Sequence, residues 1–257
     1  MGKAARGPLR CGMRIAVVSD IHGNLPALEA VVRDIRRHGV DGTVNLGDSL
    51  SGPLLPLETA QFLMSRDWIH LAGNHERQIL FPGRDGREAS DAYAYSQLSE
   101  HELDWLIELE HRQPLGQEVL LCHGSPRSDI EYFLETVEPG GMRAARAEEI
   151  DLRLSDETAA IVLCGHSHVA RSVRASRGTL IVNPGSVGLP AYNADAPHRH
   201  VVETGSPDAR YAIVEYGLDG WIASLHSVPY DPRAMAQLAM QNDRPEWAFA
   251  LLTGHMA

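Results

Sequence analysis

Cysteine is scarce in this chain. Its 257 residues hold three, Cys11, Cys122 and Cys164, with no Cys-x-x-Cys pair and no even-numbered set. That excludes a disulfide framework and fits small buried thiols in a reducing compartment. Long apolar runs are also lacking: none approaches the ~20 residues that span a bilayer, so no membrane partner is expected. Positive charge is in deficit, with 23 Lys and Arg against 34 Asp and Glu, a formal net charge of -11. A balance of that sign disfavours non-specific adhesion to nucleic-acid backbones or anionic membranes. Residues 1–12 are basic and Gly-rich but have no apolar segment of the kind a secretory leader needs. They read as a flexible N-terminal tail, Met13 is an equally good natural start, and a cytoplasmic location is expected.

What is present is the composition of a soluble globular protein, 44% hydrophobic and 22% charged. Short apolar runs alternate with amphipathic segments from Arg14 onward, the pattern of an α/β protein, and 13–257 reads as one domain. Strands are expected at Ile15 to Val18, Thr43 to Leu46, Trp68 to Ala72, Glu118 to Cys122 and Ala160 to Cys164. Hairpins are expected at 171–182 and 211–228, the second through Asp219-Gly220. Two stretches read as helix-rich insertions, 77–116 and 125–158, the latter without an obvious strand. Residues 187–209 read as loop, and helices starting near Asp231 and Pro245 form a C-terminal extension over 231–257.

Each of these strands ends in a polar cluster. The clusters are Asp20-Ile21-His22, Gly47-Asp48, Gly73-Asn74-His75-Glu76, His123-Gly124 and Gly165-His166-Ser167-His168. Any one alone is weak, because a strand-end Asp often caps a turn and the chain has 13 histidines. Five in succession, each at the carboxyl end of a strand where α/β sheets bind ligands, point to one shared site. Two residues one apart on an extended segment face the same way, so Asp20/His22 and His166/His168 can each offer two ligands from one loop.

In this order the clusters resemble the signature of the calcineurin-like metallophosphoesterases: Asp-x-His, Gly-Asp, Gly-Asn-His-Asp/Glu, a later His, then Gly-His-x-His. The resemblance runs from about Arg14 to Ser186. Asn183-Pro184-Gly185-Ser186 after the last motif brings it nearest the small prokaryotic phosphodiesterase-like branch. It implies an α/β fold of two mixed β-sheets packed as a sandwich with helices on both outer faces, here with a helical cap. It also implies two divalent transition-metal ions, the first on Asp20, His22, Asp48 and His168, the second on Asp48, Asn74, His123 and His166. Mixed imidazole and oxygen ligation suits Mn, Fe, Zn, Ni or Co better than Ca. His75 is implied as general acid, with Glu76 orienting it or a neighbouring ligand.

The implied activity is a dinuclear phosphoesterase, a phosphodiesterase first, in which a metal-bridging hydroxide attacks phosphorus in line. The substrate is then a small phosphoester, with a nucleotide or dinucleoside polyphosphate hydrolase and a phosphomonoesterase as alternatives on the same site. A protein-binding scaffold on this fold is the reading from another class; the intact ligand set and His75 weigh against it. Arg77 and Arg127 read as surface cations rather than phosphate binders, His198 and His200 as loop bystanders, and Trp105, Trp221 and Trp247 as packing residues. The insertions are expected to wall the cleft and set specificity.

Overall fold

The computed structural model describes residues 10–84 and 86–257. The tail expected over 1–12 lies outside them except for its last three residues, where the Gly12 N–H bonds Tyr216 O at 2.8 Å. Alternation of apolar side chains builds two sheets that share a core. One contains β1 (Arg14–Val18), β2 (Gly42–Asn45), β3 (Ile69–His70), β13 (Ala209–Gly217) and β14 (Gly220–Val228), in the order β14-β13-β1-β2-β3. The other contains β4 (Arg112–Leu115), β5 (Val119–Cys122), β8 (Ile161–Leu163), β9 (Arg171–Arg174) and β10 (Leu180–Asn183), in the order β4-β5-β8-β10-β9.

Period-two patterning sets which face goes where. Ile15 and Val17 of β1 meet Leu121, Leu163 and Val182 of the second sheet in the central core. Ala16 and Val18, on the other face of β1, pack under α1 (Leu25–His38) through Leu28, Val31 and Ile35. Likewise Leu120, Val162 and Ile181 face outward onto Ile150 and Leu154 of α6 (Ala147–Leu154). The layers are therefore α-β-β-α, as the resemblance implies. Asn24 starts α1 by accepting from Ala27 N, Pro26 fills its first turn, and Gly39 ends it at φ 62°.

Three strands of each sheet run parallel: β1, β2 and β3 in one, with β3 at the edge, and β5, β8 and β10 in the other. Their carboxyl ends carry the ligand loops, so topology alone gathers the five clusters. Over 77–116 the helical expectation holds, with α4 (Ala89–Gln97) and α5 (Glu100–Ile107) following α3 (Asn74–Leu80), before β4. Two expectations differ. The stretch 125–158 contains a hairpin, β6 (Glu135–Glu138) and β7 (Gly141–Ala144), before its one helix α6. Pro139-Gly140-Gly141 is the turn chemistry that signals it, hidden by the charges of the flanking residues. The supposed loop 187–209 holds a second hairpin, β11 (Ala191–Ala194) and β12 (His200–Glu203). The extension forms α7 (Arg233–Gln241) and α8 (Pro245–Thr253), packed on Leu54 and Leu189. No helix among the described residues is long and apolar enough to cross a membrane.

Candidate metal centre

Five of the seven residues expected to bind metal sit on strained backbone. Asp20, His22, Asp48, His166 and His168 all have positive φ, between 52° and 66°, a conformation that costs non-glycine residues on the order of 1–3 kcal/mol each. Such strain persists only where the surroundings over-determine it. Close packing of the loops is part of that: a Cβ on Gly73 would lie 2.2 Å from Asp48 Oδ1, and one on Gly165 2.0 Å from Ser19 Oγ. The 183–186 segment latches two loops at once. Asn183 Nδ2 donates to Gly165 O at 2.7 Å, and Ser186 Oγ to Asp20 O at 2.7 Å.

Two clusters result. In the first, Asp20, His22 and His168 place their ligand atoms within 4.8 Å of one another. His22 Nδ1 is bonded to Ser51 O and His168 Nδ1 to Leu189 O, both at 2.8 Å. Those bonds put each ring's proton on Nδ1 and leave Nε2 as a lone pair. The two Nε2 atoms then face each other at 3.2 Å, with Asp20 Oδ1 3.3 Å from that of His168. In the second, Asp48, His123 and His166 converge in the same way. His123 Nδ1 donates to Leu46 O at 2.9 Å, and its Nε2 lies 3.0 Å from Asp48 Oδ2.

Asn74 completes the second cluster. Its amide nitrogen is anchored outward on Gln78 Oε1 at 3.2 Å. Its oxygen lies 2.9 Å from His166 Nδ1, 3.2 Å from His123 Nε2 and 3.3 Å from Asp48 Oδ2. Turning the amide over would offer these atoms an N–H instead. With oxygen inward, the amide oxygen joins the Asp48 carboxylate and the His166 and His123 nitrogens in one donor set, an arrangement favourable around a cation. The donor set therefore fits divalent transition metals, with imidazole nitrogen, carboxylate and amide oxygen and no thiolate.

Electrostatics within the protein agree. Burial above all holds His22 down to about 4 and His166 down to about 3, so both rings are neutral at pH 7. For His123, burial pulls down but the Asp48 carboxylate wins, raising it to about 10. A proton and a cation compete there for one lone pair.

His75 stands beside the clusters without joining either. Its backbone N–H donates to Asp48 Oδ1 at 2.9 Å, and its Nδ1 lies 2.8 Å from Asp91 Oδ1. Burial lowers its pKa, yet the nearby Asp48 and Asp91 carboxylates raise it on balance to about 9. Glu76 bonds to backbone groups and not to the His75 ring. Its carboxylate accepts from the backbone N–H groups of Asp48 and Ser49 at 2.8 Å and of Gly73 at 2.7 Å. It thus fixes the loops that carry Asp48 and Asn74.

A cleft of about 910 Å³ opens over both clusters. Arg77 and Arg127 are not among its lining residues and pair with Asp129 and Glu131. His200, expected as a bystander, is buried and takes part in a directional chain. His200 Nδ1 donates to His198 O, so its Nε2 accepts from Tyr132 OH at 2.9 Å, and Tyr132 in turn accepts from Tyr192 OH at 2.6 Å. The two tyrosine rings pack on ligand histidines, Tyr132 on His166 at 5.0 Å and Tyr192 on His168 at 4.7 Å. Asp91, Tyr132 and Tyr192 escaped the sequence reading, because each lies in a stretch with no motif spacing to mark it. Trp247 of α8, expected to pack, sits 5.9 Å from the His22 ring.

Comparison with known proteins identifies the domain. Residues 13–206 match the model of the calcineurin-like phosphoesterase superfamily domain. A curated relative, an uncharacterised protein of Methanocaldococcus jannaschii, is 24% identical over 253 residues, 91% of this chain and 94% of its own. Among solved structures, a metallophosphoesterase from Sphaerobacter thermophilus is 26% identical with a TM-score of 0.71, covering 95% of this chain and 99% of that one. A hypothetical protein from Pyrococcus horikoshii OT3 shares the fold at a TM-score of 0.71 and 17% identity, over 95% of this chain and 100% of its own.

Proposed function

As a member of the calcineurin-like phosphoesterase superfamily, the chain is a metal-dependent phosphoester hydrolase, and we propose that it is a dinuclear phosphodiesterase with His75 as general acid. The observation that carries this is the pair of lone-pair clusters at one rim, with a histidine beside them that belongs to neither. Asp20, His22, Asp48 and His168 would hold the first ion, and Asp48, Asn74, His123 and His166 the second. Asp48 suits the shared position: it bonds into the second cluster and its charge acts on His22 of the first. When bound, two divalent cations supply Lewis acidity that acidifies water and offsets charge on phosphate oxygens.

The chain's own groups do the rest. Asp91 accepts from His75 Nδ1–H and fixes the ring, which leaves Nε2 to carry the transferable proton. As a water oxygen bonds to phosphorus and the ester P–O bond breaks, His75 gives that proton to the leaving oxygen. Glu76 keeps Asp48 and Asn74 in register through its three backbone bonds. The Tyr132–Tyr192 pair closes one side of the cleft over His166 and His168.

Metal analysis of the purified protein tests the proposal together with hydrolysis of bis(p-nitrophenyl) phosphate and p-nitrophenyl phosphate. About two metals per chain and cleavage of the diester are expected. Cleavage of the monoester alone would make it a phosphatase, and metal binding without cleavage of either would return the scaffold reading.

A further inference from the structure

The charge of the cleft narrows the substrate. Apart from metal ligands it is lined by the carboxylates of Glu88, Glu131, Glu135, Asp195 and Glu246, against two guanidiniums, Arg153 and Arg244. Arg153 is committed to the protein, its Nη1 on the carbonyls of Phe133 and Glu135 and its Nη2 on Thr136 Oγ1. Arg244 pairs with Glu246. One phosphate can sit at the metal clusters. Glu131, Glu135 and Glu246 are ion-paired with Arg127, Arg171 and Arg244, and Glu88 and Asp195 have no ion pair among the described residues. Each further phosphate would therefore meet acidic groups and no guanidinium without a partner. That disfavours dinucleoside polyphosphates and other polyanions.

The end of the cleft next to His75 has a different character. Asp91, which holds His75, follows Ser90 in α4, and Ser90 Oγ accepts from Arg244 Nη1 at 2.9 Å. Arg244 Nη2 carries no further bond among the described residues. Ser51 Oγ lines the cleft, is fully buried and has no partner. A buried hydroxyl in that state is destabilising unless something in the cleft completes it. The Trp247 ring stands beside both His22 and the Arg244 guanidinium. Hydroxyls, a neutralised guanidinium–carboxylate pair and an indole together recognise an uncharged group rich in hydroxyls.

We infer that this end of the cleft binds the leaving alcohol, and that the substrate class is a single-phosphate diester of an uncharged polyol such as glycerol or a sugar. The inference rests on the phosphodiesterase reading above. Ser51 Oγ, Arg244 Nη2 and Ser90 Oγ would bond the polyol hydroxyls, and the indole would cover its CH face.

The test compares glycerophosphoglycerol, diadenosine tetraphosphate and bis(p-nitrophenyl) phosphate as substrates of the metal-loaded parent, Ser51→Ala and Arg244→Gln. Ser51→Ala removes no bond the fold uses, so it stays informative if Arg244→Gln folds poorly. The parent is expected to show kcat/KM on glycerophosphoglycerol about 100-fold above that on diadenosine tetraphosphate. Each variant should lower the ratio of glycerophosphoglycerol to bis(p-nitrophenyl) phosphate about tenfold, the worth of one hydrogen bond. Calorimetric binding of glycerol 3-phosphate should weaken by a similar factor in Ser51→Ala. A preference for the polyphosphate, or an unchanged ratio in Ser51→Ala, overturns the inference. Failure of the parent to cleave bis(p-nitrophenyl) phosphate with any metal would sink the phosphodiesterase reading instead.

Discussion

His75 Nδ1 lies 2.8 Å from Asp91 Oδ1, which joins the second residue of α3 to a carboxylate of α4 that is 1% exposed. The pairing couples a residue of the metal loops to one of the insertions. Its consequence is directional, because a carboxylate that accepts from Nδ1–H dictates the tautomer and the plane of the ring.

Asp91→Asn is therefore expected to lower kcat by about 10–100-fold on alkyl diesters, whose leaving oxygen needs a proton. On p-nitrophenyl esters, which leave without one, the loss should stay within about threefold, and metal content should not change. Plotting rate against leaving-group pKa for parent and variant reads this directly. A steeper dependence in the variant supports the role, whereas parallel lines mean that Asp91 only supports the fold.

Glu76 makes a separate prediction. Three backbone N–H groups point at its carboxylate, at 2.7–2.8 Å. Glutamine would turn an NH₂ toward donors and leave buried N–H groups unmet. Glu76→Gln is expected to destabilise the protein by about 2–4 kcal/mol, read as a lower urea midpoint at unchanged slope. Metal affinity should fall with it, since Asp48 and Asn74 lose their positions. An unchanged midpoint would show that the loops are held by something else.

Ligand sharing is tested by stoichiometry. His166→Ala and His168→Ala each remove a ligand from one cluster and should retain about one metal per chain. Asp48→Asn removes the residue assigned to both and should retain close to none. Thermal melting adds an independent reading, because metal bound only to the native state raises Tm by mass action. If Asp48→Asn keeps one tight metal, Asp48 belongs to a single cluster and the bridging assignment is wrong.

The sequence showed much of this because the ligands follow strands. Strand ends are marked by short apolar runs, which deliver the clusters to one rim; Asp20, His22, His166 and His168 themselves lie beyond β1 and β8 on left-handed backbone, not on the extended segment that their spacing suggests. Asp91 had no such marker. It lies in a helix whose amphipathic pattern is faint, and only tertiary packing brings it to His75. The β6–β7 hairpin was masked by Glu135, Glu138 and Arg143, since charges on short strands erase the period-two signal. His200 was obscure for the opposite reason: its segment looked like loop, yet it is buried and bonded to Tyr132, which lines the cleft. Motif-bearing strands were legible, whereas the insertions that shape the cleft were not.

The cysteines give the last test, of the sequence reading that takes them as small buried thiols. Cys122 and Cys164 are buried in the core layer under α6, at the ends of the strands that lead to His123 and His166. Burial pushes the Cys122 thiol up to about 12 and raises that of Cys164 well above the ordinary range. Because only the thiolate is nucleophilic, both should be inert at pH 8. Cys11 is exposed and should react. The linkage has a definite sign: a thiol whose folded pKa exceeds its unfolded value contributes stability that is fully present below the unfolded pKa and is lost as pH rises through the folded one. Ellman's reagent at pH 8 is expected to modify one of the three thiols in the native protein and all three in urea, with the two slow thiols tracking unfolding. Rapid modification of two or three in the native state would mean that the strand ends beneath the metal loops open far more readily than their packing allows.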